Sequence, residues 1–239
     1  MPARRRRSRK KSSTKRPRFH PTGKKPAPVT RLLLIRHGEV ETQYHGVFGG
    51  RIDMNLSDRG HEQARTLAKF LRGKKFDAIY ASPMKRVQQT FAPSARHHRV
   101  KQVILPGLRE IHFGDWTGLN WDEVREQFGI EPYEWLQKIE LGVVPNGEST
   151  VHFRKRIEPC LRRVIRENRG KTVAIFCHGG VIRMMLAILL DLPLPKTGCF
   201  EVEYTSVTQV AMHPHMNEIE LLNFTPWRDV LADGHHEDK

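Results

Sequence analysis

The sequence predicts a single three-layer α/β/α domain with a mostly parallel central sheet, preceded by a disordered basic arm. Short apolar runs typical of buried parallel strands alternate with segments of helical periodicity. Two of these runs end in the same dipeptide, His-Gly, and most of the net positive charge lies in the first 30 residues. These observations predict a basic arm at 1–29, a folded domain at 30–226 and a charged C-terminal tail at 227–239.

The predicted arm is defined by its charge. Residues 1–30 contain 12 Lys and Arg and no Asp or Glu, which leaves 29 basic and 26 acidic residues in the rest of the chain. The formal net charge of +15 therefore belongs mostly to this segment. Dense like charge, frequent proline and few apolar residues prevent the burial needed to offset the entropy of ordering, so we expect disorder.

The role of the arm stays open at this stage. Most basic tails are simply solvated, and the alternatives are nonspecific contact of residues 4–25 with nucleic acid or another polyanion, or nuclear import in a eukaryote. Organelle targeting is less well supported because the run has no apolar amphipathic face. An overextended start site would also explain it.

Composition argues against several classes of protein. The three cysteines are widely spaced and form no Cys-x-x-Cys pair, which indicates a reducing compartment and no disulfide framework. No apolar run reaches the ~18–20 residues that span a bilayer. The N-terminus lacks the apolar core of a secretory signal. We expect a soluble cytoplasmic protein; its oligomeric state cannot be predicted.

Hydrophobic periodicity predicts the order of the elements. Helices are expected where apolar residues recur at i, i+3, i+4 and i+7, and Ser57 is a plausible N-cap for the first of them. Strands are expected at continuous or alternating apolar runs. In chain order the predictions are a strand at 32–35, helices after Ser57 and at 84–92 with a strand at 76–80 between them, a helix from 150, a strand at 173–177, a helix through 190, and strands near 199–204 and 206–212.

The two His-Gly pairs are the main functional signal. Arg36-His37-Gly38 and Cys177-His178-Gly179 each follow a predicted strand, and ligands bind beyond the carboxyl ends of strands in such sheets. If the two strands are neighbours, the histidines can meet. Arg36 offers a planar fork for phosphate oxygens, and a Gly-Gly helix start offers free N–H groups to an anion. A lone histidine at a strand end is more often structural, so these residues alone suggest an anion site without establishing it.

A set of ordered motifs resembles the histidine phosphatase superfamily, which includes cofactor-dependent phosphoglycerate mutases and alpha-ribazole phosphatases. The resemblance spans about residues 31–225. Its motifs are Leu34 to Glu39, Asp53 to Ala64, Ala81 to Thr90, Leu108 to Gly118, Gly147-Glu148-Ser149 before the long helix, and Cys177 to Arg183.

This resemblance implies a metal-independent phosphomonoester hydrolase that requires no cofactor. His37 would be the nucleophile, Glu110 the general acid and base, and Arg36, Arg86 and His178 the groups that hold the phosphoryl oxygens. The substrate would be a small phosphorylated metabolite. Its implied contacts are Arg36, Gln43, Gly50, Arg86, His178 and Gly179.

Three alternatives accompany this interpretation. Glu39 is a rival acid, although a residue directly after the nucleophile motif is more readily a pocket or helix-start residue. The same site could act as a phosphoglycerate mutase, but residues 111–116 lack the Arg-His-Tyr-Gly run that usually follows the mutase acid. A nucleic-acid-associated scaffold is the third alternative, and it does not account for all five catalytic positions being occupied.

A few residues depart from the pattern or suggest other chemistry. Val40 and Gln43 stand where the family often has Thr or Ser and Asn, which leaves the substrate pocket undefined. Histidine pairs at 97–98, 213 and 215, and 235–236 lack the spacing of zinc sites, so we expect no metal site. Cys177 adjoins the predicted site without the signature of a catalytic thiol and is predicted to be a buried core residue.

Overall fold

The fold is described by a computed structural model that covers residues 28–229. Most of the predicted arm, and the tail from residue 230, lie outside the described residues. In this part of the chain no helix is long and apolar enough to cross a membrane. Its elements are β1 (Thr30–Arg36), α1 (Asp58–Leu71), β2 (Ala78–Ala81), α2 (Lys85–Ala95), β3 (Gln102–Ile104), α3 (Trp121–Phe128), α4 (Trp135–Glu140), α5 (Thr150–Glu167), β4 (Thr172–Cys177), α6 (Gly179–Leu189), β5 (Val207–Met212), β6 (Asn217–Phe224) and α7 (Pro226–Asp229).

The strands form one mixed sheet in the order β3-β2-β4-β1-β5-β6. The four strands from β3 to β1 run parallel, whereas β5 and β6 are antiparallel to their neighbours. Arg36 at the end of β1 pairs with Cys177 at the end of β4. The two strands that end in His-Gly are therefore adjacent and end at the same level.

Both faces of the sheet are buried, which explains the nearly continuous apolar runs. On β1, Leu32 and Leu34 pack in the cluster that contains the apolar residues of α5 and α6. Leu33 and Ile35 point the other way and pack in the cluster with residues of α1 and α2. Each such side chain stabilises the fold by roughly 1.5–3 kcal/mol when fully buried. The predicted α/β architecture with helices on both sides of the sheet is confirmed.

Serine caps fix the starts of two long helices. Ser57 precedes α1, and its Oγ accepts the N–H of Gly60 at 3.0 Å, as the sequence predicted. Ser149 precedes α5 and its Oγ accepts the N–H of His152. Such caps contribute about 1 kcal/mol each because they satisfy an N–H that the helix leaves free.

The prediction of a strand at 199–204 is wrong. This segment follows a 3-10 turn (Leu194–Cys199), and side chains rather than a neighbouring strand bind its carbonyl groups. Arg183 donates to the carbonyl of Phe200, and Arg36 donates to that of Val202. Thr205 then has a φ of 54°, in the left-handed region, which separates the segment from β5.

Two strands, β3 and β6, and three helices, α3, α4 and α7, were not predicted from the sequence. Burial alternates along β6, so the alternation of apolar and polar residues could have predicted this strand. The strand β3 is short and largely exposed, and it pairs only with β2 in the described sheet. The helix α7 crosses the predicted domain boundary at 226. Its Trp227 donates from Nε1 to the carbonyl of Tyr204 at 3.0 Å, so the folded part extends beyond that boundary.

Candidate active site

A cavity of about 340 Å³ opens beyond the carboxyl ends of β1 and β4. Residues from several elements line it, including His37 after β1, Arg86 on α2, and Gly179 and Gly180 at the start of α6. Glu110, from the loop after β3, completes the polar part of the lining. The fold therefore brings the predicted strand-end, helix-start and acid-loop residues to one place.

His37 is buried, and its ring is held in a defined protonation state. Its Nδ1 lies 2.8 Å from the carbonyl oxygen of Gly38, which can only accept, so Nδ1 carries the proton and Nε2 keeps a lone pair. The pKa of His37 lies well below its ordinary value because burial penalises the charged ring and the guanidinium groups of Arg86 and Arg36 repel it. A neutral imidazole whose Nε2 carries no proton is the form that can act as a nucleophile.

Arg86 is fixed beside that lone pair. Its Nε donates to Nε2 of His37 at 3.2 Å, while Nη1 and Nη2 donate to the carbonyls of Ile52 and Gly50. Burial lowers the pKa of Arg86 to about 10, so the group remains charged at neutral pH. Three of its five N–H groups are used by the protein, which leaves two for a ligand.

Thr90 couples the helix that carries Arg86 to the loop that carries His37. Its Oγ1 donates to the carbonyl of Arg86 and accepts the N–H of Gly38 at 2.9 Å. One buried hydroxyl therefore sets the distance between α2 and the turn after His37. The motif Ala81 to Thr90 thus contributes to the site at two points, the guanidinium group and this hydroxyl.

Arg36 lies at the other side of the cavity. Its Nη1 donates to the carbonyl of Val202 at 2.6 Å, and its guanidinium carbon lies 4.1 Å from the ring centre of Tyr204. The Nε atom is buried and has no hydrogen-bond partner among the described residues. Since buried N–H groups are nearly always satisfied, this atom is suited to a bound acceptor.

His178 lies against His37, with ring centres 5.2 Å apart in an edge-to-face arrangement. It is completely buried, and its pKa is well below the ordinary value because of that burial and the charges of Arg86 and other nearby groups. Its Nε2 lies 2.8 Å from Oγ of Ser82, whereas Nδ1 is buried without a partner in the described part of the chain. Like Arg36, it keeps one unsatisfied buried nitrogen.

Glu110 is held at the start of α6. Its Oε2 accepts the N–H of Gly180 at 3.1 Å, and its Oε1 accepts the N–H of Ile111 at 3.0 Å. A Cβ on Gly180 would lie 2.6 Å from Oε1, so the second glycine of the Gly-Gly pair is required for this close approach. The rival acid Glu39 does not line the cavity; it accepts the hydroxyl of Ser57 beside the first turn of α1.

The loop that carries Glu110 is braced from α5. Arg156 donates to the carbonyls of Gly107, Arg109 and Glu110 and forms an ion pair with Glu148 at 2.7 Å. Burial alone would raise the pKa of Glu148, but Arg156 and the N–H of His112 outweigh it, so that pKa lies below its ordinary value. Glu148 belongs to one of the motifs found in the sequence, whereas no role was predicted for Arg156.

The remaining predicted residues are placed as follows. Gly50 lines the cavity and presents its carbonyl to Arg86, and Gly179 lies against the Arg36 side chain. Gln43 is exposed in a 3-10 turn and does not line the cavity; its neighbour Tyr44 does. Cys177 is buried as predicted, and burial raises the pKa of its thiol.

Six aromatic side chains line the same cavity and form what we call the aromatic wall, which was not predicted from the sequence. Four of its rings form a connected group around Phe48, which contacts the rings of Phe113 and Trp121 at centre distances of 5.0 Å and 4.4 Å. These aromatic residues are far apart in the sequence, and their rings come into contact only when they are buried in the folded protein. The wall consists of Tyr44, Phe48, Phe113, Trp121, Trp135 and Tyr204.

Comparison with known proteins identifies the family. The family model for the histidine phosphatase superfamily (branch 1) matches residues 32–225. The chain belongs to the histidine phosphatase superfamily. This match confirms the predicted family, and the relatives described next confirm the α/β fold and the class of enzyme, a phosphatase.

Named members of the superfamily include both phosphatases and mutases. Phosphoserine phosphatase 1 of Hydrogenobacter thermophilus is 30% identical over 197 residues, which cover 82% of this chain and 93% of that protein. A 2,3-bisphosphoglycerate-dependent phosphoglycerate mutase of Bartonella quintana is 36% identical over 169 residues, 66% of this chain and 80% of the mutase. The crystal structure of a putative alpha-ribazole-5'-P phosphatase from Escherichia coli superposes with a TM-score of 0.72 at 26% identity, covering 82% of this chain and 97% of that one.

Proposed function

We propose that this member of the superfamily hydrolyses phosphomonoesters through a transient phosphohistidine on His37. The observation that carries the proposal is a pair of unsatisfied buried nitrogens on two residues next to His37. Arg36 Nε and His178 Nδ1 are both buried and have no partner among residues 28–229. The equatorial oxygens of a phosphoryl group bound to His37 would satisfy both nitrogens, and charge develops on these oxygens in the transition state.

The first step transfers the phosphoryl group to the protein. Nε2 of His37 attacks phosphorus, and the bond between phosphorus and the ester oxygen breaks. Glu110, as a carboxylic acid, gives its proton to that oxygen, so a neutral alcohol leaves. Arg36, Arg86 and His178 stabilise the oxygens, a contribution that preorganised donors make in many enzymes.

The second step releases phosphate and regenerates the site. The Glu110 carboxylate accepts a proton from water, the resulting hydroxide attacks phosphorus, and the bond to Nε2 breaks. Inorganic phosphate leaves, and His37 returns to its neutral form. General acid–base catalysis of this kind typically contributes ~10²–10⁴-fold.

The aromatic wall indicates the kind of alcohol that the substrate carries. Its rings offer a face for stacking with a planar or apolar group. Among the described residues, Glu110 is the sole acidic side chain that lines the cavity, so the ammonium group of phosphoserine would find no separate carboxylate partner there. We therefore propose a small organic phosphate with a planar or apolar alcohol, in preference to phosphoserine.

The phosphohistidine is tested by trapping. Brief exposure to a radiolabelled phosphate ester, followed by denaturation in alkali, is expected to leave acid-labile label on His37. His37→Ala is expected to lose both label and turnover, whereas His215→Ala, which removes an exposed histidine, is the matched control and should keep both. Full turnover by His37→Ala would refute the mechanism.

The substrate proposal is tested separately by specificity. The ratio of kcat/KM for a nucleoside or aryl phosphate to that for phosphoserine should exceed one, and Trp135→Leu should lower the ratio. A wild-type enzyme that prefers phosphoserine would overturn the substrate class without affecting the phosphohistidine.

A further inference from the structure

The hydrogen bond between His178 and Ser82 bears on how the second histidine can bind phosphate. Ser82 follows β2 directly, and its N–H donates to the carbonyl of Phe176 on the neighbouring strand β4 at 3.0 Å. Both Ser82 and His178 are completely buried. Because their strands are paired, the hydroxyl and the ring nitrogen meet at 2.8 Å without water between them.

A neutral imidazole has one N–H and one lone pair, and the serine hydroxyl can pair with either. If Nε2 carried the proton, Nδ1 of His178 would have only a lone pair and could not donate to a phosphoryl oxygen. If Nδ1 carries the proton, Nε2 must accept from Ser82. The neutral state is the relevant one, because burial holds the pKa of His178 well below its ordinary value.

The surroundings of Ser82 favour the second arrangement. The N–H of Met84 points at Oγ of Ser82 from 3.5 Å, at the outer limit of a hydrogen bond, and an N–H can only donate. The hydroxyl proton is therefore free to be directed at His178. Nδ1 of His178, the nitrogen that then carries the ring proton, has no partner in the described part of the protein.

We propose that Ser82 is a positioning residue that donates its hydroxyl proton to Nε2 of His178, so that the ring proton resides on Nδ1 and faces the phosphoryl oxygens. The proposal rests on the proposed function for the identity of the ligand. It assigns to the serine of the second-arginine motif a role in electrostatics that does not involve contact with the substrate.

The tautomer is read directly from the wild-type protein. With ¹⁵N-labelled histidine, long-range ¹H–¹⁵N correlation spectra distinguish a protonated ring nitrogen from an unprotonated one. Comparison with a His178→Gln variant identifies the resonances of His178. The expected result is a protonated Nδ1 and an unprotonated Nε2, and the opposite pattern would overturn the proposal whatever the activity.

Variants of Ser82 then measure the consequence. Removing a hydrogen bond that orients a donor toward a charged ligand lowers the binding constant about 10- to 100-fold. We therefore expect Ser82→Ala to lower both kcat/KM and the affinity for inorganic phosphate by this factor. Ser82→Cys, which keeps a weak donor, should recover part of it. Ser94→Ala is the control, since Ser94 is also a completely buried serine, and its hydroxyl has no partner in the described residues.

Different results would overturn the role of Ser82 and the phosphohistidine on His37. Unchanged phosphate affinity in a folded Ser82→Ala variant would overturn the role of Ser82, even if label is trapped on His37. Absence of trapped label together with a protonated Nδ1 on His178 would overturn the proposed function and leave the assignment of the tautomer intact.

Discussion

The brace between α5 and the loop that carries Glu110 allows a quantitative prediction. Arg156→Met removes an ion pair with Glu148 and hydrogen bonds to three carbonyl groups, while a similar apolar volume is kept. Glu148 is 9% exposed at its side chain, so the variant leaves a nearly buried carboxylate without its main partner. Removing one partner of a fully buried pair costs about 3–5 kcal/mol.

The expected loss is smaller here because part of the environment remains. The N–H of His112 still donates to Glu148, and Arg51 lies 3.5 Å from it. We therefore expect the free energy of unfolding to fall by about 2–3 kcal/mol, measured by urea denaturation at neutral pH.

The pH dependence of this loss has a definite sign. Arg156 helps to hold the folded-state pKa of Glu148 below its ordinary value, so the stability that the pair contributes is present above the unfolded-state pKa and is lost as pH falls through the folded-state pKa. The difference between wild type and Arg156→Met should accordingly be largest above about pH 5 and shrink toward pH 3. Adding Glu148→Gln removes the unpaired charge and should restore part of the stability.

Activity supplies the second measurement, because Arg156 also holds the loop of Glu110, the proton donor of the proposed mechanism. Esters whose leaving alcohol is a weak acid depend on protonation by Glu110, so their kcat should fall about tenfold or more in Arg156→Met. An aryl ester with an acidic leaving group should be affected much less. Equal losses for both esters, or a stability unchanged by the substitution at pH 7, would refute the reasoning.

Four further predictions follow from the site and the sequence. His37 and His178 are buried with depressed pKa values, so their neutral form persists below pH 6.5 while the unfolded chain gains protons; unfolding free energy should fall as pH drops below about 6.5, and less steeply in His37→Ala. Hydrolysis should continue in excess chelator, because arginine and histidine supply the positive charge; recovery by added zinc or magnesium after inhibition would contradict this. Incubation with 3-phosphoglycerate and 2,3-bisphosphoglycerate should give inorganic phosphate or no reaction, and efficient formation of 2-phosphoglycerate would establish the mutase. Deleting residues 1–27 should remove most salt-sensitive binding to nucleic acid and leave turnover of a small ester nearly unchanged, and equal binding by the truncated chain would place the contact on the domain.

The strand-end and motif residues were the predictable part of the site. Arg36, His37 and His178 follow apolar runs that are buried on both faces, as strands inside one sheet are. These residues come together because the two strands, β1 and β4, are neighbours in that sheet. Arg86 and Glu110 were reached through the family resemblance, because neither lies at the end of a predicted strand.

The wall and the brace were not predictable for physical reasons. Trp121 and Trp135 belong to short helices whose position depends on tertiary packing, not on local periodicity. Arg156 lies on the long helix α5, where an arginine is usually solvated, and its role depends on carbonyl groups nearly 50 residues away. The alternating residues at 199–204 predicted a strand. The pattern does not show that the side chains of Arg36 and Arg183, and not a neighbouring strand, bind the carbonyl groups of this segment.

The pairing of β1 with β4 also determines when in folding the two histidines can meet. The two strands lie far apart in the sequence, at Thr30–Arg36 and Thr172–Cys177, and the N–H that donates to the carbonyl of His37 belongs to Thr205, still later in the chain. Contacts between such distant segments form late, because the entropy of closing a long loop opposes them. Arg86 and His178, which lie beside His37 in the proposed mechanism, both come later in the sequence, so the complete site can assemble only after most of the domain has been synthesised.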